Sequence, residues 1–238
     1  EISLGLVGSE MCIRDRIGSA GIDADESARI ATEALRCAMP HVHEWTVTND
    51  AALLCASVPR NRPCVVCIAG TGSVVLAYDA QRTRTKRVGG LGWLLGDEGS
   101  AVGVGRAALR HVLSEPSPLL DVILAATGAA SADDLLSYVY TDDSRARIAA
   151  LAQVVTRAAH DGHAVAQHIV ELEAQAMAAC IDRAAPPIPA ACRLGGALFG
   201  DAGYLARVLH HIQTPFIDTQ VVHDICGTAA QSKATRPW

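Results

Sequence analysis

Four short stretches of this chain combine glycine, hydroxyl and carboxylate groups in patterns that could do chemistry. Gly70-Thr71-Gly72-Ser73 falls between two β-rich runs. Its backbone N–H groups and hydroxyls could meet an anion there without steric obstruction. Gly96-Asp97-Glu98-Gly99-Ser100 sets two adjacent carboxylates at a helix start, where the dipole favours negative charge. The glycines of Gly89-Gly90-Leu91-Gly92-Trp93 are too dense for a packed element and fit close approach to a ligand. Asp50 ends a short strand and could act as the base of a phosphoryl transfer, with the Gly-rich loops following it in the chain. Gly195-Gly196-Ala197 makes a strand-to-helix turn on which a flat nucleobase could lie.

Each stretch also has a plainer reading. These are a β-turn for 70–73, capping for 96–100 and for Asp50, and tight strand–helix packing for 195–197. Three other patterns are decoys. Gly103-Val104-Gly105-Arg106-Ala107-Ala108 mimics a dinucleotide fingerprint but lies inside a helical run and follows no strand. Cys64 and Cys67 sit at i and i+3 of a strand and so face opposite ways. His41/His43 and His210/His211 have no ligand partners at metal spacing and read as surface residues, and no metal ligand is assigned.

The elements that must position these residues alternate. A helix runs from near Asp25 to before Pro40, a short strand covers Trp45 to Thr48, and a small apolar helix follows Asn49-Asp50. Arg60 to Pro63 breaks the chain. Strands are then expected at Cys64–Ile68, Val74–Tyr78 and Thr83–Val88. A helix to about Leu113 and an Ala-rich helical block to Ala185 come next, with breaks at Pro116, Pro118, Gly128, Asp142 and Gly162. Ala190–Leu194 is a further strand, followed by a helix from the Gly195-Gly196 turn to about Ile212. This alternation is α/β. The 238 residues are half hydrophobic and 19% charged, enough to bury a core, which excludes a disordered chain. A net charge of −5 argues against a general nucleic-acid binder, and no apolar run approaches the ~20 residues of a membrane span. Eight cysteines in apolar segments read as reduced core thiols of a cytoplasmic protein.

Residues 1–16 show weak periodicity, and Leu6 to Asp15 resembles the translated end of a widely used transposon-type sequencing adapter. The expectation is adapter read-through over 1–16, with the genuine chain starting near Ile17.

The order Thr48-Asn49-Asp50-Ala51-Ala52-Leu53-Leu54, Ile68 to Val74, Gly89 to Ser100 and Leu194 to Ala197 resembles the N-acetylglucosamine kinase-like proteins of the BadF/BadG/BcrA/BcrD ATPase family. That family belongs to the sugar kinase/Hsp70/actin superfamily. The resemblance implies an α/β, ribonuclease H-like (actin-like ATPase) two-domain fold whose first domain is incomplete here. It implies a remnant of that domain over 17–61, a second domain over 62–220, and a C-terminal segment, 221–238, that could return to the first. It also implies ATP and Mg²⁺ as cofactors and transfer of the γ-phosphoryl group to the 6-hydroxyl of N-acetylglucosamine or glucosamine. On matching positions it makes Asp50 the general base and Gly70, Thr71, Gly72 and Ser73 the second phosphate loop. Asn49, Asp50, Gly92, Trp93, Asp97 and Ser19 become sugar contacts, and Gly195, Gly196 and Ala197 the adenosine motif.

The family's Asp-Gly-Gly-Gly-Thr phosphate loop is absent from the sequence, so the chain as written is expected to lack competent phosphoryl transfer. A family aromatic after Gly-Asp-Glu-Gly-Ser is replaced by Val102 or Val104. An activator of a radical dehydratase is the alternative, although its cluster cysteines reduce here to Cys180 alone in its helix. A sugar-binding transcriptional regulator is another. The oligomeric state is open, a homodimer being one option.

Overall fold

A computed structural model describes residues 14–18, 25–42 and 44–224. Its centre is a five-stranded sheet made by β3 (Cys64–Ala69), β4 (Ser73–Tyr78), β5 (Arg84–Gly89), β6 (Ala191–Gly195) and β7 (Asp218–Val222). The order is β5-β4-β3-β6-β7, antiparallel across β3, β4 and β5 and parallel across β3, β6 and β7. The central strands β3, β4 and β6 are buried on both faces, their side chains alternating between two cores. Val65, Cys67, Ala69, Val75, Ala77, Cys192 and Leu194 face one core, and Cys64, Val66, Leu76, Tyr78 and Ala191 the other. Cys64 and Cys67 therefore lie on opposite faces, as their spacing requires.

The first core is covered by helices α3 (Ala101–Ser114), α4 (Leu119–Thr127), α5 (Ala132–Val139), α6 (Ser144–His160), α7 (Ala164–Ala184) and α8 (Ala202–His211). The Gly103-Val104-Gly105 run lies inside α3, and its glycines serve contact. A Cβ on Gly105 would stand 1.9 Å from the Ile148 carbonyl oxygen of α6. Val102 and Val104 are fully buried in this core. Helix α2 (Asp50–Leu54) covers the second face, inserting Ala51, Ala52 and Leu54, and a 3-10 turn at Cys55–Ser57 continues it.

Outside the sheet, β1 (Arg14–Gly18) pairs in parallel with β2 (Glu44–Thr48), and α1 (Asp25–Ala38) connects them. β1 falls where the sequence showed little periodicity, because its partner strand and not its own pattern defines it. Two further elements differ from the sequence reading. The Gly195-Gly196 turn opens into a 3-10 turn at Ala197–Gly200 before α8 begins at Ala202. β7 was unforeseen: it is a polar edge strand, Asp-Thr-Gln-Val-Val, carrying the sheet two residues past position 220. Cys37 is exposed, against the expectation of a core thiol. His211, read as a surface residue, is half-buried and bonds Glu171 of α7 at 2.5 Å. No helix among the described residues is long and apolar enough to cross a membrane.

Candidate functional site

The site is built where parallel strands end. β3 runs out at Ala69 and β6 at Gly195, side by side in register through Ile68 and Gly195. Gly196 follows with φ +106°, and a Cβ there would stand 2.4 Å from the Ala69 carbonyl oxygen. Only glycine lets the turn lie against the root of the hairpin that follows β3. The sequence-predicted adenosine motif and phosphate loop are thus brought together at the carboxyl ends of adjacent strands, where open α/β sheets place ligands.

The hairpin tip is held by its carbonyls. Ala101 and Val102, the first residues of α3, donate their N–H groups to Gly70 and Thr71 at 2.9 and 3.1 Å. Gly70 N–H donates to the Gly72 carbonyl at 2.9 Å, and the Ser73 hydroxyl donates to the Glu98 carbonyl at 2.7 Å. The carbonyls of Gly70, Thr71 and Gly72 are thereby engaged, and the tip lies next to the positive end of α3. A Cβ on Gly70 would meet nothing within 4 Å, so the tip stands open. Ser100, not either carboxylate, caps α3 by accepting from Gly103 N–H at 3.1 Å.

Asp97 is 3% exposed and holds φ +63°, a backbone conformation that Asp tolerates better than most residues. Its carboxylate lies against Gly72, where an added Cβ would stand 2.5 Å from Oδ2. The neighbouring Glu98 is exposed. The loop leading to Asp97 turns through positive φ at Gly89, Gly90 and Gly92. Trp93 packs partly on the core beside it.

Sequence reasoning missed the residues that fix this loop. Arg106 of α3 donates to the carbonyls of Trp93 (2.7 Å) and Gly96 (3.1 Å). Glu173 of α7 accepts from Gly99 N–H at 2.7 Å, and Tyr204 of α8 donates its hydroxyl to the Gly99 carbonyl at 2.6 Å. Burial pushes the Glu173 carboxyl up, against the opposing pull of the Gly99 N–H and Arg106. No local motif marks these three, because each reaches the loop from a separate helix.

Gly70, Thr71 and Ala197 line one cavity of about 990 Å³ together with Arg145, Thr156 and Asp201. That is the size range of small-molecule sites. Asp201 caps α8 by accepting from Tyr204 N–H at 2.8 Å and lies 3.1 Å from His160. Burial would raise its carboxyl, but the Tyr204 N–H, His160 and Thr156 outweigh it and hold it low.

Asn49 and Asp50 stand at the end of β2, outside the lining of that cavity among the described residues. Asn49, not Asp50, is the cap of α2: its side chain accepts from Ala51 N–H at 2.9 Å. Asp50 accepts from the same N–H at 2.9 Å and is only partly buried. Ser19 lies outside the described residues, as does the turn that carries it.

Residues 12–228 match the BadF/BadG/BcrA/BcrD ATPase family. An N-acetylmuramic acid/N-acetylglucosamine kinase of Clostridium acetobutylicum is 31% identical over 177 residues, 71% of this chain and 57% of that protein. This chain therefore spans little more than half the length of that relative. A crystal structure of a protein provisionally named an N-acetylglucosamine kinase, from Porphyromonas gingivalis, superposes with a TM-score of 0.73 at 21% identity. It covers 91% of this chain and 75% of that one. A ROK family glucokinase of Streptomyces griseus, solved with glucose and AMPPNP, gives 0.51 at 14% identity, covering 79% and 66%. The chain shares the α/β fold of these two structures. On the match across residues 12–228, the chain belongs to the BadF/BadG/BcrA/BcrD ATPase family.

Proposed function

We propose that this chain carries the nucleotide and amino-sugar site of an N-acetylglucosamine-type kinase. The observation that carries the reading is the convergence of the Gly70–Ser73 hairpin, the Asp97 carboxylate and the Gly196 turn at the ends of β3 and β6. The kinase named in Clostridium acetobutylicum supports the amino sugar as acceptor. ATP lies along the cavity, with adenosine against Gly195-Gly196-Ala197, phosphates over the N–H groups of the hairpin, and Arg145 supplying a cation. The sugar meets Asn49, Gly92, Trp93 and Asp97, and the family resemblance adds Ser19 to these contacts. In the kinase reaction Asp50 would take the proton of the 6-hydroxyl as the γ-phosphoryl group moves in line to that oxygen. Catalysis of this kind is positioning plus electrostatic stabilisation. Mg²⁺ held with the nucleotide would supply charge neutralisation beside the Gly70–Ser73 hairpin, whose tip is open at Gly70.

The sequence holds no Asp-Gly-Gly-Gly-Thr loop, and this chain binds its ligands without turnover. Calorimetric titration tests it. A nonhydrolysable ATP analogue and N-acetylglucosamine should both bind, and Asp97→Asn should weaken the sugar while sparing the nucleotide. Absence of nucleotide binding would overturn the site, and sugar-dependent ADP release by this chain would overturn the second half.

A further inference from the structure

On the face of the sheet away from the cavity, two thiols meet. Cys55, the first residue of the 3-10 turn after α2, and Cys64, the first residue of β3, place their sulfurs 2.8 Å apart, both wholly buried. The segment between them, Val58 to Pro63, is exposed from Pro59 to Arg62. Two buried arginines converge on the pair. Arg82 holds a left-handed backbone, φ +69°, and donates to the carbonyls of Val58, Pro59 and Arg62, with Nη1 3.6 Å from the Cys64 sulfur. Arg193 donates from Nε to the Ser57 hydroxyl at 2.8 Å and pairs with Asp218.

The two sulfurs are not equivalent. The hydrogen bond from Cys55 lowers the Cys64 thiol, burial opposes this, and both arginines reinforce the lowering. Burial first, and then Cys64 itself, push Cys55 up. A thiolate beside cationic groups is the reactive form of cysteine. A bonded pair sits at ~2.05 Å, so closing the gap moves each sulfur by well under about 1 Å.

We propose that Cys55 and Cys64 are a redox-sensitive dithiol that hydrogen peroxide converts to a disulfide. The Cys64 thiolate attacks one peroxide oxygen, the O–O bond breaks, and hydroxide leaves, giving a sulfenic acid on Cys64. The Cys55 sulfur gives its proton to that hydroxide and attacks the sulfenyl sulfur, releasing a second hydroxide, which takes up the proton lost by Cys64. Two thiols have lost two electrons, the peroxide has gained them, and two waters result. The exposed Pro59–Arg62 segment is the access route, since the carbonyl contacts of Arg82 are what hold it shut. The bond ties the end of α2, whose first residue is Asp50, to the start of β3.

Arg60 provides a tryptic site between the two cysteines, so the link can be mapped on the unaltered chain. The full chain is treated with hydrogen peroxide, quenched with N-ethylmaleimide in guanidinium and digested without reductant. The expected product joins peptide 37–60 to peptide 61–82, with maleimide on Cys37 and Cys67, two hydrogens lighter than the sum of the two singly labelled peptides. Fragment ions should place the link at Cys55 and Cys64, and dithiothreitol should release it. Maleimide on both cysteines after peroxide, or a link through Cys37, Cys67 or Cys192, would overturn the proposal. In Cys55→Ser, dimedone should capture a sulfenic acid at Cys64; capture at other cysteines alone would count against it.

Discussion

At Gly72 one missing methyl group keeps a carboxylate in place. Gly72→Ala puts a Cβ 2.5 Å from Asp97 Oδ2, so the carboxylate must turn away. N-acetylglucosamine affinity is expected to fall about tenfold to a hundredfold, the scale of a misplaced contact group, as read by calorimetry. Tyr204→Phe leaves the ring packed but strips the Gly99 carbonyl of a buried donor. That variant should lose about 1–3 kcal/mol in urea unfolding. Much of this residue-level layout was legible. The hairpin glycines, Asp97 and the Gly195-Gly196 turn were singled out as candidates from residue type and spacing, and the hairpin and the turn meet at the ends of β3 and β6. Arg106, Glu173 and Tyr204 were not, because an arginine, glutamate or tyrosine on a helix reads as surface or core until a neighbouring loop is docked on it.

Helix pairs carry the next set of constraints. Gly105→Ala would drive a Cβ into the Ile148 carbonyl, forcing α3 and α6 apart; about 1–3 kcal/mol of overpacking is expected in a urea melt. Between α7 and the Asp97–Gly99 turn, Glu173 sets a pH dependence. Its folded carboxyl is raised, so the native state binds this proton more tightly than the unfolded chain does. The penalty for burying its charge is present above the raised range and relieved as pH falls through it. Glu173→Gln keeps an acceptor for Gly99 N–H without the titration. Stability measured from neutral pH down to the ordinary carboxylate range should therefore gain less on acidification in the variant than in the parent. Element boundaries were readable where glycine, proline and apolar runs punctuate the chain. β1 and β7 were not, because polar strands at a sheet edge take their identity from the strand beside them.

For the molecule as a whole, ligand binding to the native state alone must raise its stability. At a nucleotide-analogue concentration 100 times Kd the gain is about 2.7 kcal/mol, visible as a rise in Tm that scales with the logarithm of concentration. Arg145→Ala, on an exposed first turn of α6, should shrink that rise while leaving the ligand-free Tm in place.

The register of β3 with β6 has a kinetic consequence. Ile68 meets Gly195 only after the whole run of helices α3 to α7 has been made and folded back. The β3–β4–β5 meander is local and can form early, whereas closing so long a loop is a slow step in sheet assembly. Gly196 reaches Ala69 at that moment and no sooner. Competence to hold nucleotide should thus appear in the last phase of refolding, together with the final burial of Cys192 and Leu194, and never in an early intermediate.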